Sequence, residues 1–219
     1  MKYFLIFLTI ITMWLVAINS PYFFINKKYS CENFIIHYSN ERDLKKLCSA
    51  LSYVAEKTNM IDRDDKLDIY LTNSRRVYYV LSYFGRKNFY VNFINNYILL
   101  SPVDLNNPGF LNNGDSNFNE EIAKAIISLK LLKTHQKLDY LGISRWKING
   151  YAKYRLSEIQ EFSERDICEK KSGDKYVDYE NMIVTKYIFE DKRYSKSDFF
   201  DSDISYNFYL DEVKSKYCK

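Results

Sequence analysis

The chain has 219 residues, a length that suits one domain preceded by an N-terminal segment. Its 32 Lys and Arg nearly balance 28 Asp and Glu, and 47% of its residues are hydrophobic, as in ordinary globular proteins. With only 6 Gly and 3 Pro and no internal repeat, disorder and a repeat array are excluded. The 21 Tyr and 15 Phe are assigned to the core rather than to an aromatic cage.

Tyr3 to Ile18 is an apolar run that resumes after Pro21 as Tyr22-Phe23-Phe24-Ile25. Residues 1–25 are read as a signal anchor, an N-terminal transmembrane helix whose membrane contact runs through residues 3–25. Ala17-Ile18-Asn19 makes a poor cleavage triplet, so the uncleaved form is favoured; cleavage would give a secreted protein. Lys2 before the run and Lys27-Lys28 after it nearly balance, and export of the C-terminal domain is the favoured topology.

Asn33 to Tyr38 reads as a strand, and Asn40 as the cap of a helix through about Asn59, with Leu44, Leu47, Leu51 and Val54 on one face. Leu67 to Leu71 is a short buried strand. A helix capped by Asn73 or Ser74 runs through about Phe84 and is ended by Gly85. Phe89–Phe93 and Tyr97–Leu100 bracket a hairpin turn at Asn95-Asn96. Pro102 to Asn117 is a loop rich in Asn, Gly, Asp and Pro, either a flap over a site or a surface excursion.

From Glu120 onward Ile122, Ala125, Ile126, Leu129 and Leu132 recur at helical spacing. A linker through Gly142 leads to a helix from about Ser144 that contains Trp146. Tyr176 to Asp191 is a further helix, Ser195 or Ser197 caps a short turn, and Ile204 to Tyr217 forms the last helix. The fold class is therefore α+β: residues 26–219 are one domain, with a small mixed sheet and helices in 26–115 and a helical half in 116–219.

Four cysteines, Cys31, Cys48, Cys168 and Cys218, permit two disulfides in an exported chain, with three pairings open. Local pairing, Cys31 with Cys48 and Cys168 with Cys218, is mildly favoured over the others and over four free thiols. No C-x-x-C, G-x-S-x-G or phosphate-binding glycine loop occurs. His37, alternating with Ile36 in a strand, is expected to face solvent, and His135 to lie just past a helix end. Two histidines cannot build a three-histidine metal site. Residues 1–157 carry 21 basic and 13 acidic side chains, whereas 158–219 carry 11 and 15. That imbalance could steer a basic face toward phospholipid or another anion. Arg75-Arg76 is the nearest approach to a basic stripe, too small to imply nucleic acid.

Glu120-Glu121-Ile122-Ala123-Lys124, followed about 25 residues later by Trp146-Lys147-Ile148-Asn149-Gly150-Tyr151-Ala152-Lys153-Tyr154, resembles the paired helices of gluzincin-type zinc metallopeptidases. There the first helix carries H-E-x-x-H and the second W-x-x-E-G-x-A-x-Y. The resemblance covers about residues 31–192. It puts Glu120 and Lys124 at the histidine positions, Glu121 at the general base and Asn149 at the third ligand, while Trp146, Gly150, Ala152 and Tyr154 keep the frame. A charged lysine has donors only and cannot ligate a metal, so the site is expected to be vestigial, without zinc or another cofactor.

The resemblance implies a catalytically inactive, peptidase-like protein with a binding or structural role. It would be membrane-anchored, with its domain outside the cytoplasm in the periplasm or at the cell surface, and a protein or peptide partner in the cleft between its halves. Two alternatives stand beside it: an active hydrolase that uses Glu121 with an unforeseen metal site, and an unrelated small membrane-associated interaction protein.

Overall fold

A computed structural model of the chain describes residues 2–40, 43–62, 64–85, 87–111, 117–135, 137–156, 163–169 and 171–218. The structure is mixed α+β and divides into two compact units, Met1–Thr134 and His135–Lys219. The division falls after Thr134, so the helix that carries Glu120 goes with the sheet.

The first unit is built on a five-stranded sheet in the order β1-β2-β3-β5-β4. β1 (Lys27–Cys31) and β2 (Phe34–Tyr38) form an antiparallel hairpin, turned through Glu32 at φ 44°. β2 runs parallel to β3 (Leu67–Leu71), β3 runs parallel to β5 (Tyr97–Leu100), and β4 (Phe89–Asn92) closes the far edge antiparallel to β5. β1 was not expected as a strand. In Lys-Lys-Tyr-Ser-Cys only Tyr29 and Cys31 alternate with exposed Lys28 and Ser30, too short a pattern to announce a strand, and an edge position tolerates the lysines.

The register aligns Ile36, Ile69 and Ile98 on one face, with Phe34 beside Leu67 and Leu71 beside Leu100. All seven are buried. The other face aligns His37, Tyr70, Leu99 and Tyr90. It is covered by Tyr78 and Leu81 of α3 (Arg75–Leu81) and by Ile25. A sheet with a parallel centre needs cover on both faces, and this one has it.

Helix α2 (Lys45–Thr58) buries Leu47, Leu51 and Val54, the expected stripe. It starts later than Asn40, because Asp43 accepts a hydrogen bond from the Lys45 amide at 3.0 Å. It ends on left-handed Asn59, φ 49°. Ser74 caps α3 through its hydroxyl, which accepts from the Val77 amide at 3.3 Å. α3 stops at Leu81 rather than at Phe84. The reversal is made by Tyr83 and Phe84 at φ 53° and 62°, not by Gly85; bulky residues seldom adopt that backbone. The β4–β5 turn is held by Asn92, whose side-chain oxygen accepts from the Ile94 and Asn95 amides, both at 2.9 Å. Within the stretch read as a loop, β6 (Val103–Asp104) and β7 (Gly109–Phe110) pair as a short ribbon. Residues 112–116 of the expected flap lie outside the described residues.

Helix α4 (Phe118–Thr134) buries all five residues of its predicted stripe and Ala123, Ile127 and Leu131 as well. Helix α1 (Lys2–Asn19) corrects the anchor reading. Its 18 residues span about 27 Å at 1.5 Å each, against a hydrocarbon core of about 30 Å. Among the described residues, no helix is long and apolar enough to cross a membrane. The run breaks because Pro21 opens a separate 3-10 turn, Pro21–Phe23, and Ile25, only 1% exposed, belongs to the core of the unit.

The second unit is helical: α5 (Lys137–Gly142), where a linker was expected, α6 (Arg145–Leu156), a 3-10 turn at Glu164–Cys168, α7 (Asp174–Glu190), α8 (Lys196–Asp201) and α9 (Tyr206–Tyr217). α6 packs along α7, and α9 packs on α7 and the 3-10 turn. Ser195 caps α8 in a capping box with Asp198. Both locally favoured disulfides are present. Cys31–Cys48 ties β1 to α2, and Cys168–Cys218 ties the 3-10 turn to the end of α9, with Cα separations of 6.0 and 5.4 Å.

Candidate functional site

The positions that the sequence resemblance assigns to two zinc ligands and a general base, Glu120, Lys124 and Glu121, lie on the first turns of α4. Asn117 opens that helix: its side-chain oxygen accepts from the Glu120 amide at 3.3 Å and its carbonyl accepts from the Glu121 amide at 3.1 Å. Two carboxylates in a first turn also suit the positive end of the helix dipole. One turn on, the Lys124 ammonium lies 2.9 Å from Glu120 Oε1 and 3.2 Å from Glu121 Oε1. Glu before Lys at i,i+4 is the favoured orientation for such a pair. The three side chains are only 14%, 19% and 12% exposed, so water screens this cluster less than a surface pair. In this arrangement a cation fills the position between the carboxylates, and Glu121 is held as its partner.

Tyr78 and Arg75 of α3 belong to the same neighbourhood, and sequence reading missed both. The Arg75 guanidinium carbon is 5.3 Å from the centre of the Tyr78 ring. Burial pushes the Tyr78 hydroxyl far above its ordinary value; Arg75 works against that and the Glu121 charge adds to it. The only sequence signal was an Arg three residues before a Tyr on a short helix.

The Trp-Gly-Ala-Tyr frame lies on α6 of the second unit, and its residues are explained by packing there. Trp146 meets Phe199 edge-on at 5.6 Å and Tyr206 at 5.1 Å. A Cβ at Gly150 would stand 2.2 Å from Thr185 Oγ1 and 2.5 Å from the Asn181 carbonyl oxygen, so only glycine permits this approach of α6 to α7. Ala152 is fully buried, and Tyr154 stacks on Phe189 at 5.6 Å. Asn149 is half-buried on the same helix. Its neighbour Lys147 is buried, donates to the Ser202 carbonyl at 2.6 Å, and has its pKa lowered by that burial.

His37 does not face solvent as expected; it is 3% exposed. Alternation gives solvent only when one sheet face is wet, and here both are covered. His37 Nε2 lies 2.7 Å from Asp68 Oδ1, and its ring stacks on Tyr70 at 4.0 Å. Asp68 was legible only as a polar residue one step out of phase with Ile69. His135 lies 3.4 Å from Asp201 in the second unit. The 103–111 ribbon lines a cleft of about 370 Å³ with Asp43, and Glu120, Glu121 and Lys124 are not among its walls. Among the described residues, no group of three or more His, Cys, Asp or Glu side chains is placed to hold a metal ion. Compared with known proteins, the chain matches no family model, no curated protein and no solved structure.

Proposed function

We propose that the chain is a membrane-attached, exported protein on a gluzincin-like frame, in which the former catalytic positions have become structural and the role is to bind a protein or peptide. The observation that carries this reading is the Lys124 ammonium set between Glu120 and Glu121 on the helix where the family would place H-E-x-x-H. An ammonium can neither ligate a metal nor leave its carboxylate partners free to activate water. Export is supported by the two disulfides, which persist in oxidising compartments. Attachment is supported by α1, whose Phe4, Phe7, Ile10 and Met13 are all more than half exposed.

Two measurements test it. The purified protein is expected to carry no stoichiometric zinc and to cleave no peptide; tight zinc, or proteolysis abolished by Glu121→Ala, would replace this reading with that of an active hydrolase. The frame itself is tested by restoring its ligands. Glu120→His with Lys124→His should bind zinc weakly, and adding Asn149→Glu should tighten binding at least tenfold if the frame is that of a gluzincin. No gain from Asn149→Glu would refute the resemblance.

A further inference from the structure

The first unit segregates its charge. Residues 1–31 and 69–103 contain seven Lys and Arg and no Asp or Glu; every acidic residue before Thr134 falls in 32–68 or 104–121. The acid-free segments are the ones that pack together around α3. Trp14 of α1 stacks on Phe84 at 5.7 Å and meets Tyr83 edge-on at 5.8 Å, and Tyr79 meets Phe84 at 4.9 Å. Ile25 packs with Tyr78 and Leu81 beneath.

The outer side of α3 is apolar where solvent would predict polar residues. Val77, Tyr79, Val80 and Phe84 are 39%, 42%, 41% and 51% exposed. Arg76 and Lys87 beside them are exposed as well. Exposed aromatic and branched side chains on a segment whose sequence from 69 to 103 holds Lys and Arg but no Asp or Glu match an interfacial lipid surface, where rings sit at headgroup level and cations meet anionic phosphates.

We propose that the outer face of α3, with Arg76 and Lys87 at its rim, lies on an anionic phospholipid surface. This deepens the membrane attachment proposed for α1 by adding a second contact and a lipid class. The α1 contact is apolar apart from Lys2 at its N-terminal end, whereas the α3 face adds Arg76 and Lys87, and only substitution at those two positions reads its own share of the anionic preference.

The test is co-flotation of the full chain with vesicles of phosphatidylcholine alone and of phosphatidylcholine mixed equally with phosphatidylglycerol. Binding should favour the anionic vesicles and weaken with salt. Arg76→Gln with Lys87→Gln should weaken it roughly thirty-fold on anionic vesicles, at about fivefold per cation, and leave binding to neutral vesicles unchanged. Tyr79→Ser with Val80→Ser, at exposed positions, should weaken binding to anionic vesicles, and amide exchange over 78–81 should slow when those vesicles are added. Equal binding to both vesicles, anionic preference insensitive to Arg76 and Lys87, or no binding to either would overturn the proposal. Failure on neutral vesicles with anionic binding intact would remove the α1 contact and uphold the α3 face.

Discussion

Gly150 shows how one residue decides a helix pair. In an isolated helix, Gly→Ala would stabilise by roughly 1 kcal/mol. Here the added methyl would overlap Thr185 Oγ1 and the Asn181 carbonyl, and overpacking of that kind costs about 1–3 kcal/mol or more. Overlap wins, because a backbone carbonyl cannot rotate away. Gly150→Ala should lower the urea midpoint of the second unit, and adding Thr185→Ala should recover only part of the loss. Lys124 offers a second test. Lys124→Met keeps the length of the side chain and leaves two mostly buried carboxylates without their cation. The expected cost is about 1–2 kcal/mol, between the values for exposed and buried pairs, read from chemical denaturation. At Asp166, hydrogen bonds from Lys171 and Ser163 hold the carboxyl down at about 2. A depressed folded-state pKa contributes stability above the unfolded value near 4, and that contribution is lost as pH falls toward 2. Carboxyl titration followed by NMR should find the low value, and Lys171→Met should raise it toward the ordinary range.

At the scale of elements, apolar periodicity was a sound guide wherever a helix or strand faces one core. α2, α4, α7, β2, β3 and the β4–β5 hairpin fall where Leu, Ile, Val and Tyr recur at the right interval. The misses share a physical cause. β1 owes its strand to a partner more than to its own side chains, and α5 lies where a linker is expected from the sequence. The end of α3 was assigned to Gly85, yet Tyr83 and Phe84 take the left-handed backbone beside Trp14. Caps were more legible, because a short polar side chain ahead of a helix has a local partner. Ser195→Ala should cost α8 about 1 kcal/mol, measured as a drop in thermal midpoint, because Ser195 is the residue in the cap.

For the whole molecule, each disulfide closes a loop inside one unit. By loop-closure entropy the 17-residue separation of Cys31 and Cys48 stabilises by about 3 kcal/mol, and the 50-residue separation of Cys168 and Cys218 by about 4. Paired Cys→Ser variants should therefore lower unfolding free energy more for Cys168/Cys218 than for Cys31/Cys48. Non-reducing peptide maps should show these two links. The sequence alone carried the α+β class, the order of most elements, the favoured cysteine pairing and the one-turn spacing of Glu120 and Lys124, because each depends on neighbours a few residues away or on simple periodicity. It could not show that His37 is buried, that Ile25 belongs to the core rather than to an anchor, or that Gly150 is required by α7. Those facts depend on which surfaces meet, and partners distant in sequence leave no local trace at the residue they constrain. The acid-free segments around α3 could be counted in the sequence, but only their packing brought Trp14, Tyr79 and Phe84 onto one face.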